Sequence, residues 1–175
     1  AGEPKEIAGQ YYQLGLIEQE IENWEDADKN YRNALAQWEQ IGDTNWIAAA
    51  CNQLANVAKG AGRLQEAERW YLRATELGEK LGDRQGLAKR MNILAGLYLS
   101  QNRLDEAEDY ARRSLAIKET LDLSSEPWTT YNILAQLAEK RGQMDEAREW
   151  RRKEQESFAA FAGSDTQIKE WLPII

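Results

Sequence analysis

Three asparagine side chains recur at a fixed spacing and are the residues of this chain best suited to polar recognition. Asn92 lies 40 residues after Asn52, and Asn132 lies 40 residues after Asn92. A carboxamide offers one acceptor oxygen and two donor hydrogens, so it can bind a peptide unit in both directions. At one helical position in successive units, three such groups would form a column matched to a backbone. The same amides could instead only bond neighbouring helices, and the sequence leaves both interpretations open.

Residues typical of catalysis and metal binding are scarce in this chain. It has no histidine and a single cysteine, Cys51, so it offers no nucleophile–histidine pair and no zinc-ligand set. Cys51 lies on an apolar stripe beside Leu54 and Ala55, a pattern typical of a small core residue. We therefore expect no enzymatic activity, no metal and no cofactor.

The charge balance disfavours two further classes of partner. The net charge of −8 opposes binding to nucleic acid and to anionic lipid, since both favour a basic surface. No apolar run approaches the roughly 20 residues that cross a bilayer. We expect a cytoplasmic protein without a nucleic-acid or membrane partner. Because the chain starts at Ala1 and ends on the apolar residues 171–175, we interpret it as a segment of a longer protein.

The asparagines belong to a longer internal repeat. Residues 52–67 return at 92–107 and 132–147, and a looser copy stands at 12–27. A fixed period of this length indicates stacked units, each too small to bury its own apolar face. Apolar residues recur every three or four positions in two segments per unit, which predicts a helix hairpin. We expect an all-α solenoid forming one domain over 1–175, with repeats at about 8–47, 48–87, 88–127 and 128–163 and a capping helix at about 165–172.

Small residues and turn residues support this reading of the hairpins. Glycine stands at the turn in two units, whereas Glu22 and Asn102 occupy the equivalent turn positions in the others. Paired helices approach to about 8 Å where the side chains at the crossing are small. Such residues recur on the first and second helices: Gly15, Ala55, Ala95 and Ala135 opposite Ala27, Ala67, Ala107 and Ala147.

This pattern resembles the tetratricopeptide repeat in its 40-residue form. The matching residues are Leu54, Ala55, Gly62, Ala67, Tyr71 and Ala74 in the second unit, Leu94, Ala95, Tyr98, Ala107 and Ala111 in the third, and Leu134, Ala135, Gly142 and Ala147 in the fourth. The asparagine near each Leu-Ala pair and the Leu-Gly-Asp between units are similar to kinesin light chain, to the Leu-Gly-Asn-repeat adaptors and to bacterial regulatory repeats. The resemblance implies a right-handed α-α superhelical solenoid of four helix pairs.

The resemblance also implies a binding surface. In such relatives the first helices line a concave groove, where an asparagine ladder bonds the backbone of an extended peptide. By that resemblance Asn52, Asn92 and Asn132 are the rungs, and Tyr12 replaces the rung in the first unit. The same helix face would carry the other candidate peptide-binding residues: Gln53, Asn56, Lys89, Ile93, Ile133 and Gln136. The implied partner is a protein or peptide, and the implied role is that of an adaptor or scaffold.

A second interpretation is self-assembly or regulation, in which the stack packs against its own protein or a second copy. The apolar residues 171–175 motivate it, because an exposed patch there would favour a neighbour and allow self-association through the C-terminal end. Tryptophans add little to either interpretation. Those on second helices, Trp24, Trp38, Trp70 and Trp150, are expected to pack, while Trp46 and Trp128 could flank the groove mouth.

Overall fold

Eight helices account for nearly all of the chain that the structure, a computed structural model, describes, namely residues 4–121 and 126–164. They are α1 (Pro4–Glu20), α2 (Trp24–Ile41), α3 (Thr44–Gly60), α4 (Leu64–Leu81), α5 (Arg84–Ser100), α6 (Leu104–Lys118), α7 (Pro127–Lys140) and α8 (Met144–Ser164). No strand occurs in these two ranges, so the predicted all-α class is confirmed. The capping helix predicted at about 165–172 lies outside the described residues.

The helices form two compact units. Unit 1 is Ala1–Asp83 and unit 2 is Arg84–Ile175. In unit 1, α1 packs on α2, α3 packs on α4, and α2 also packs on α3. Unit 2 repeats this arrangement, with α5 on α6, α7 on α8, and α6 on α7. Each unit therefore contains two helix hairpins, as the repeat predicts, while the single domain over 1–175 stays a prediction.

The turn inside each hairpin requires one residue in the left-handed conformation. Gly62 and Gly142 adopt φ values of 73° and 75° at this position. Glu22 and Asn102 stand there in the other two hairpins, with φ values of 57° and 60°. The left-handed region is costly for most residues that carry a Cβ atom, and asparagine tolerates it better than glutamate. The turn geometry is therefore shared by all four hairpins, whichever residue occupies it.

Small residues allow the helices to approach closely. Gly15 and the seven alanines predicted at the helix contacts are all buried. A Cβ atom added at Gly15 would lie 2.7 Å from the Tyr31 ring, and one at Gly60 would lie 2.7 Å from the Trp24 ring. Real Cβ atoms do not approach a ring so closely without displacing it. Both glycines are thus needed to seat an aromatic ring of α2.

An aromatic cluster formed by Tyr12, Tyr31, Trp38 and Trp46 extends from the core of unit 1 to its surface, where Trp46 is 40% exposed. The Tyr12 ring lies edge-on to Tyr31 at 5.3 Å and to Trp38 at 5.4 Å between centroids. Trp46 stacks on Trp38 at 4.9 Å. Trp38 is 1% exposed, which agrees with the packing role predicted for it. In unit 2, Trp128 packs on Phe161 of α8, with centroids 4.6 Å apart.

Candidate functional site

The predicted binding residues Gln53 and Asn56 belong to a hydrogen-bonded chain in unit 1. Gln53 Nε2 donates to the Tyr12 hydroxyl at 3.3 Å, and Asn56 Nδ2 donates to Gln53 Oε1 at 2.9 Å. The Tyr71 hydroxyl donates to Asn56 Oδ1 at 2.6 Å. Burial raises the pKa of Tyr71 to about 12, so its hydroxyl keeps its proton near neutral pH. These three hydrogen bonds fix the orientation of the Gln53 and Asn56 amides.

Asn52 is the least constrained of the three asparagines. It lies on α3 next to Gln53 and is half-buried. Among the described residues of unit 1, its side chain makes no hydrogen bond. No described residue of unit 1 therefore occupies its two donor hydrogens or its acceptor oxygen, and a ligand could bind them.

Asn92 bonds two helices of unit 2 to each other. Its Oδ1 accepts from the Thr130 hydroxyl at 2.7 Å, and its Nδ2 donates to Thr129 Oγ1 at 3.3 Å. Thr130 is fully buried, so its hydroxyl depends on a partner inside the protein. This is the structural use of the amide that the sequence left open. The amide keeps one further N–H and one lone pair.

Lys118 is a buried charged residue that the sequence analysis did not identify. It is 3% exposed, and its Nζ donates to Thr129 Oγ1 at 2.8 Å and to the Glu126 carbonyl at 3.0 Å. Burial lowers the pKa of the ammonium to about 8, with the Glu126 charge raising it and the Lys89 charge lowering it. Residues Asn92, Lys118, Glu126, Thr129 and Thr130 form what we term the polar cluster.

A signal for Lys118 was present in the repeat. Subtracting two periods of 40 from position 118 gives position 38, which is the buried Trp38. A lysine at a position that is apolar in an equivalent hairpin predicts either exposure or a buried charge with partners. Aligning the four hairpins residue by residue would therefore have marked Lys118 as a candidate.

Asn132 and Gln136 join α7 to α8. Asn132 Nδ2 donates to Glu154 Oε1 at 2.7 Å, and Gln136 Nε2 donates to Asn132 Oδ1. Arg151 Nη1 donates to the other oxygen of Glu154 at 2.9 Å. Arg151 and Glu154 replace apolar residues of the repeat, and these bonds explain how the two charges are accommodated on α8.

The remaining predicted residues lie beside the polar cluster on α5 and α7. Lys89 is exposed, Ile93 is half-buried and Ile133 is buried. The Cδ1 atom of Ile133 lies 3.9 Å from the place where a Cβ atom of Gly96 would stand. Ile133 of α7 therefore lies beside Gly96 of α5, one helical turn after Asn92. Asn52 belongs to unit 1 and the other two asparagines to unit 2, and the three-rung ladder stays a prediction.

The acidic side chains and the helices of the described ranges bear on two other classes of function. No group of three or more Asp, Glu, Cys or His side chains there comes together as a metal site would require. None of the eight helices is long and apolar enough to cross a membrane.

Comparison with known proteins gives one family match. Residues 8–168 match the sequence model of the family described as the MalT-like TPR region. No curated protein matches the sequence.

Several solved structures share the fold. BtubC (BKLC) from P. vanneervenii is 23% identical with a TM-score of 0.84, over 100% of this chain and 70% of that chain. Aspartyl phosphate phosphatase F from Bacillus subtilis is 16% identical with a TM-score of 0.84, over 94% of this chain and 43% of that one. A putative kinesin light chain from Podospora anserina, with nearly identical TPR-like repeats, is 18% identical with a TM-score of 0.72. The match covers 94% of this chain and 79% of that chain. These likenesses show the fold, a right-handed superhelical solenoid of tetratricopeptide helix pairs.

Proposed function

Because the chain belongs to the family of MalT-like tetratricopeptide regions, we propose that it binds an extended peptide segment of a partner protein. The family and fold indicate protein–protein interaction, and the proposal adds the mode of binding. The first helices of the hairpins supply the contacts, and the module acts as an adaptor or scaffold without a catalytic step. The observation that carries the proposal is the group of three amides on α3, of which Gln53 and Asn56 are held by hydrogen bonds and Asn52 makes none within unit 1.

The amides of α3 are arranged to suit a peptide backbone. Asn52, Gln53 and Asn56 lie within two turns of one helix, and the last two are held between Tyr12 and Tyr71. Each amide has hydrogen-bonding groups left over, because every N–H₂ group carries two hydrogens and every oxygen two lone pairs. Side chains that are already ordered lose less conformational entropy when a ligand binds. This row therefore supports binding of a backbone that offers alternating N–H and C=O groups.

Unit 2, taken by itself, offers a different set of groups to a peptide. The amides of Asn92 and Asn132 already bond neighbouring helices, so they have less capacity left for a ligand. Ile93 offers apolar surface, and the exposed ammonium of Lys89 favours an acidic group on the peptide. A peptide that binds to unit 2 would therefore carry an apolar residue close to a carboxylate.

The test is a peptide-display selection against the intact protein, followed by calorimetric titration of the enriched peptides. Asn52→Ala removes one amide that has no hydrogen bond within unit 1, so the fold is expected to keep its stability. Loss of a bond worth about 1.4 kcal/mol corresponds to about tenfold weaker binding. The matched control is Gln40→Ala, which removes an exposed amide from α2.

The results of this test are readily separated. Binding that is about tenfold weaker in Asn52→Ala and unchanged in Gln40→Ala supports the proposal. Equal binding by both variants, or a selection that enriches no peptide, contradicts it. Asn92→Ala is a poor binding probe, because it also removes the partner of the buried Thr130 hydroxyl.

A further inference from the structure

Two aromatic rings of unit 1 reach the surface beside the amides of α3. Trp46, at the start of α3, is 40% exposed, and Tyr12 of α1 is half-buried. The centroids of these two rings are 5.6 Å apart. Trp38, which is 1% exposed, stacks on Trp46 at 4.9 Å and meets Tyr12 edge-on at 5.4 Å. A core ring therefore holds both surface rings in place.

The two rings are continuous with the amides. Gln53 Nε2 donates to the Tyr12 hydroxyl at 3.3 Å. Trp46 and Gln53 are seven residues apart on α3, which places them on the same side of the helix and about 10 Å apart along its axis. We term the surface formed by Tyr12, Trp46, Asn52, Gln53 and Asn56 the aromatic–amide surface.

The two aromatic side chains add hydrogen-bond donors to this surface. The Trp46 indole N–H can only donate, and it makes no hydrogen bond to a described residue of unit 1. The Tyr12 hydroxyl accepts from Gln53, and no described residue of that unit accepts its hydrogen. The amides can both donate and accept. The aromatic–amide surface therefore suits a ligand that offers several carbonyl oxygens next to apolar groups.

The aromatic–amide surface carries no charge, since all five of its residues are neutral. Asp43, which accepts from the Trp46 backbone N–H at 3.4 Å, is paired with Lys5 at 3.4 Å. A charged side chain placed on this surface would lose hydration without gaining an opposite charge. The complementary ligand is therefore an uncharged segment, in contrast to the net charge of −8 of the whole chain.

A proline-rich segment meets all of these requirements. Proline has no backbone N–H, so it offers a carbonyl oxygen and an apolar ring. The polyproline II helix makes no internal hydrogen bonds, and one turn of three residues advances about 9 Å. That advance is close to the distance of about 10 Å between Trp46 and Gln53 along α3. Grooves lined by aromatic side chains recognise segments of this kind.

We propose that the aromatic–amide surface binds an uncharged, proline-rich segment of the partner in the polyproline II conformation. A proline ring packs on Trp46 and Tyr12, and a carbonyl one turn along the segment accepts from Gln53. Residues other than proline keep their N–H groups, and the oxygen of Asn52 accepts from one of them. The inference rests on the proposed function, because it names the class of peptide that the amides of α3 bind.

The test is a calorimetric titration with a synthetic peptide of Pro-Pro-Ala repeats whose ends are blocked. The control peptide has the same sequence built from D-amino acids, so it has the same composition and forms a helix of the opposite hand. Trp46→Ala removes the exposed ring, and Trp46→Phe keeps an aromatic ring but removes the indole N–H. The matched control variant is Ile41→Ala, which removes an exposed apolar side chain at the end of α2. Circular dichroism checks that all three variants fold.

The expected result is binding of the L-peptide and not of the D-peptide. The original protein and Ile41→Ala bind the L-peptide equally. Trp46→Ala binds it about tenfold more weakly, because the ring contact and one hydrogen bond are lost. Trp46→Phe lies between the original protein and Trp46→Ala.

Three results would overturn this inference: no binding of the L-peptide, equal binding of the two peptides, or an affinity that Trp46→Ala leaves unchanged. Its failure is distinguishable from failure of the proposed function. Peptides that depend on Asn52, carry no proline and bind Trp46→Ala normally would leave the proposed function standing and remove the inference. The absence of any peptide that depends on Asn52 would remove both.

Discussion

Units 1 and 2 fill equivalent positions of the repeat with opposite chemistry. Three members of each cluster are related by two repeat periods, 80 residues: Tyr12, Trp38 and Trp46 of the aromatic cluster, and Asn92, Lys118 and Glu126 of the polar cluster. In unit 1 the aromatic rings contact one another. In unit 2 an ammonium group bonds a hydroxyl and a backbone carbonyl at the same place.

The difference shows that one backbone arrangement can be stabilised in two ways. Burying aromatic rings removes apolar surface from water and adds favourable ring contacts. Burying an ammonium costs desolvation free energy, which hydrogen bonds only partly offset, but each bond fixes a direction. A hairpin of a repeat protein contacts only its neighbours, so each unit can use its own solution. The aromatic cluster of unit 1 is therefore expected to contribute more to the free energy of unfolding than the polar cluster of unit 2.

The largest expected effect is the loss of Trp38. Trp38→Ala empties the centre of the aromatic cluster and is expected to lower the free energy of unfolding by about 3–5 kcal/mol. Urea denaturation followed by circular dichroism measures it. Trp46→Ala removes a ring of the same size that is partly exposed, and it is expected to cost much less. Equal losses for the two variants would show that the cluster does not centre on Trp38.

The second expected effect separates two asparagines that the repeat makes equivalent. Asn92→Ala leaves the buried Thr130 hydroxyl without its partner and is expected to cost about 1–3 kcal/mol. Asn52→Ala breaks no hydrogen bond within unit 1 and is expected to change stability by less than about 0.5 kcal/mol. The double variant Asn92→Ala/Thr130→Val, which removes both polar groups, should recover part of the loss. No difference between Asn52→Ala and Asn92→Ala in urea midpoint would contradict the assignment.

The third effect is a pH dependence that originates in the polar cluster. Burial lowers the pKa of Lys118 from 10.5 to about 8, so above pH 8 the unfolded chain binds more protons than the folded one. Folding stability from this group therefore rises with pH, by about 2 kcal/mol between about pH 7 and about pH 9.5. The measurement is the difference in unfolding free energy between the original protein and Lys118→Met across this range. A constant difference would show that the ammonium titrates normally.

The Cys51 thiol of unit 1 has the opposite effect on folding stability at higher pH. Burial raises the pKa of the Cys51 thiol from 9.0 to about 11. A group whose pKa is raised on folding contributes stability below its unfolded value and loses it as pH rises through the folded value. The contribution of Cys51 is thus complete below pH 9 and declines towards pH 11. Comparison with Lys118→Met cancels this term, because both proteins retain Cys51.

The smallest expected effect concerns the turns. Glu22→Gly in unit 1 relieves a glutamate at φ 57° and is expected to raise stability by about 0.5–1 kcal/mol. Asn102→Gly in unit 2 should gain less, because asparagine tolerates this conformation better. Thermal melts of the two variants compare them directly. A loss of stability in Glu22→Gly would mean that the glutamate side chain makes a contribution larger than the strain.

The fold was accessible from the sequence because its determinants are local and repeated. The 40-residue period, the small residues at the crossings and the turn positions at Glu22 and Asn102 all predicted hairpins that the structure contains. Each of these signals acts within one hairpin or between adjacent helices. Each of the four repeats therefore supported the prediction of a helix hairpin independently.

The roles of individual polar residues were less accessible, because they depend on partners that differ between copies. Asn52, Asn92 and Asn132 hold one position in the repeat, yet Asn92 bonds threonines and Asn132 bonds a glutamate on α8. Lys118 was missed for the same reason, since its acceptors lie on a different helix and in the turn before it. The shared repeat position of the three asparagines predicted the same placement on the backbone, but it did not predict the hydrogen bonds that each side chain makes.

The contact of Trp24 with Gly60 bears on how four similar hairpins find their correct neighbours during folding. Chains of near-identical repeats can associate in the wrong order, which traps misfolded states. The positions equivalent to Gly60 in the later hairpins are Ser100 and Lys140. Since even a single Cβ atom at position 60 would meet the Trp24 ring at 2.7 Å, those larger residues would exclude the ring. The indole of Trp24 therefore fits against the glycine at position 60 and not against the residues at positions 100 and 140. This steric difference favours packing of α2 on α3 over packing on α5 or α7.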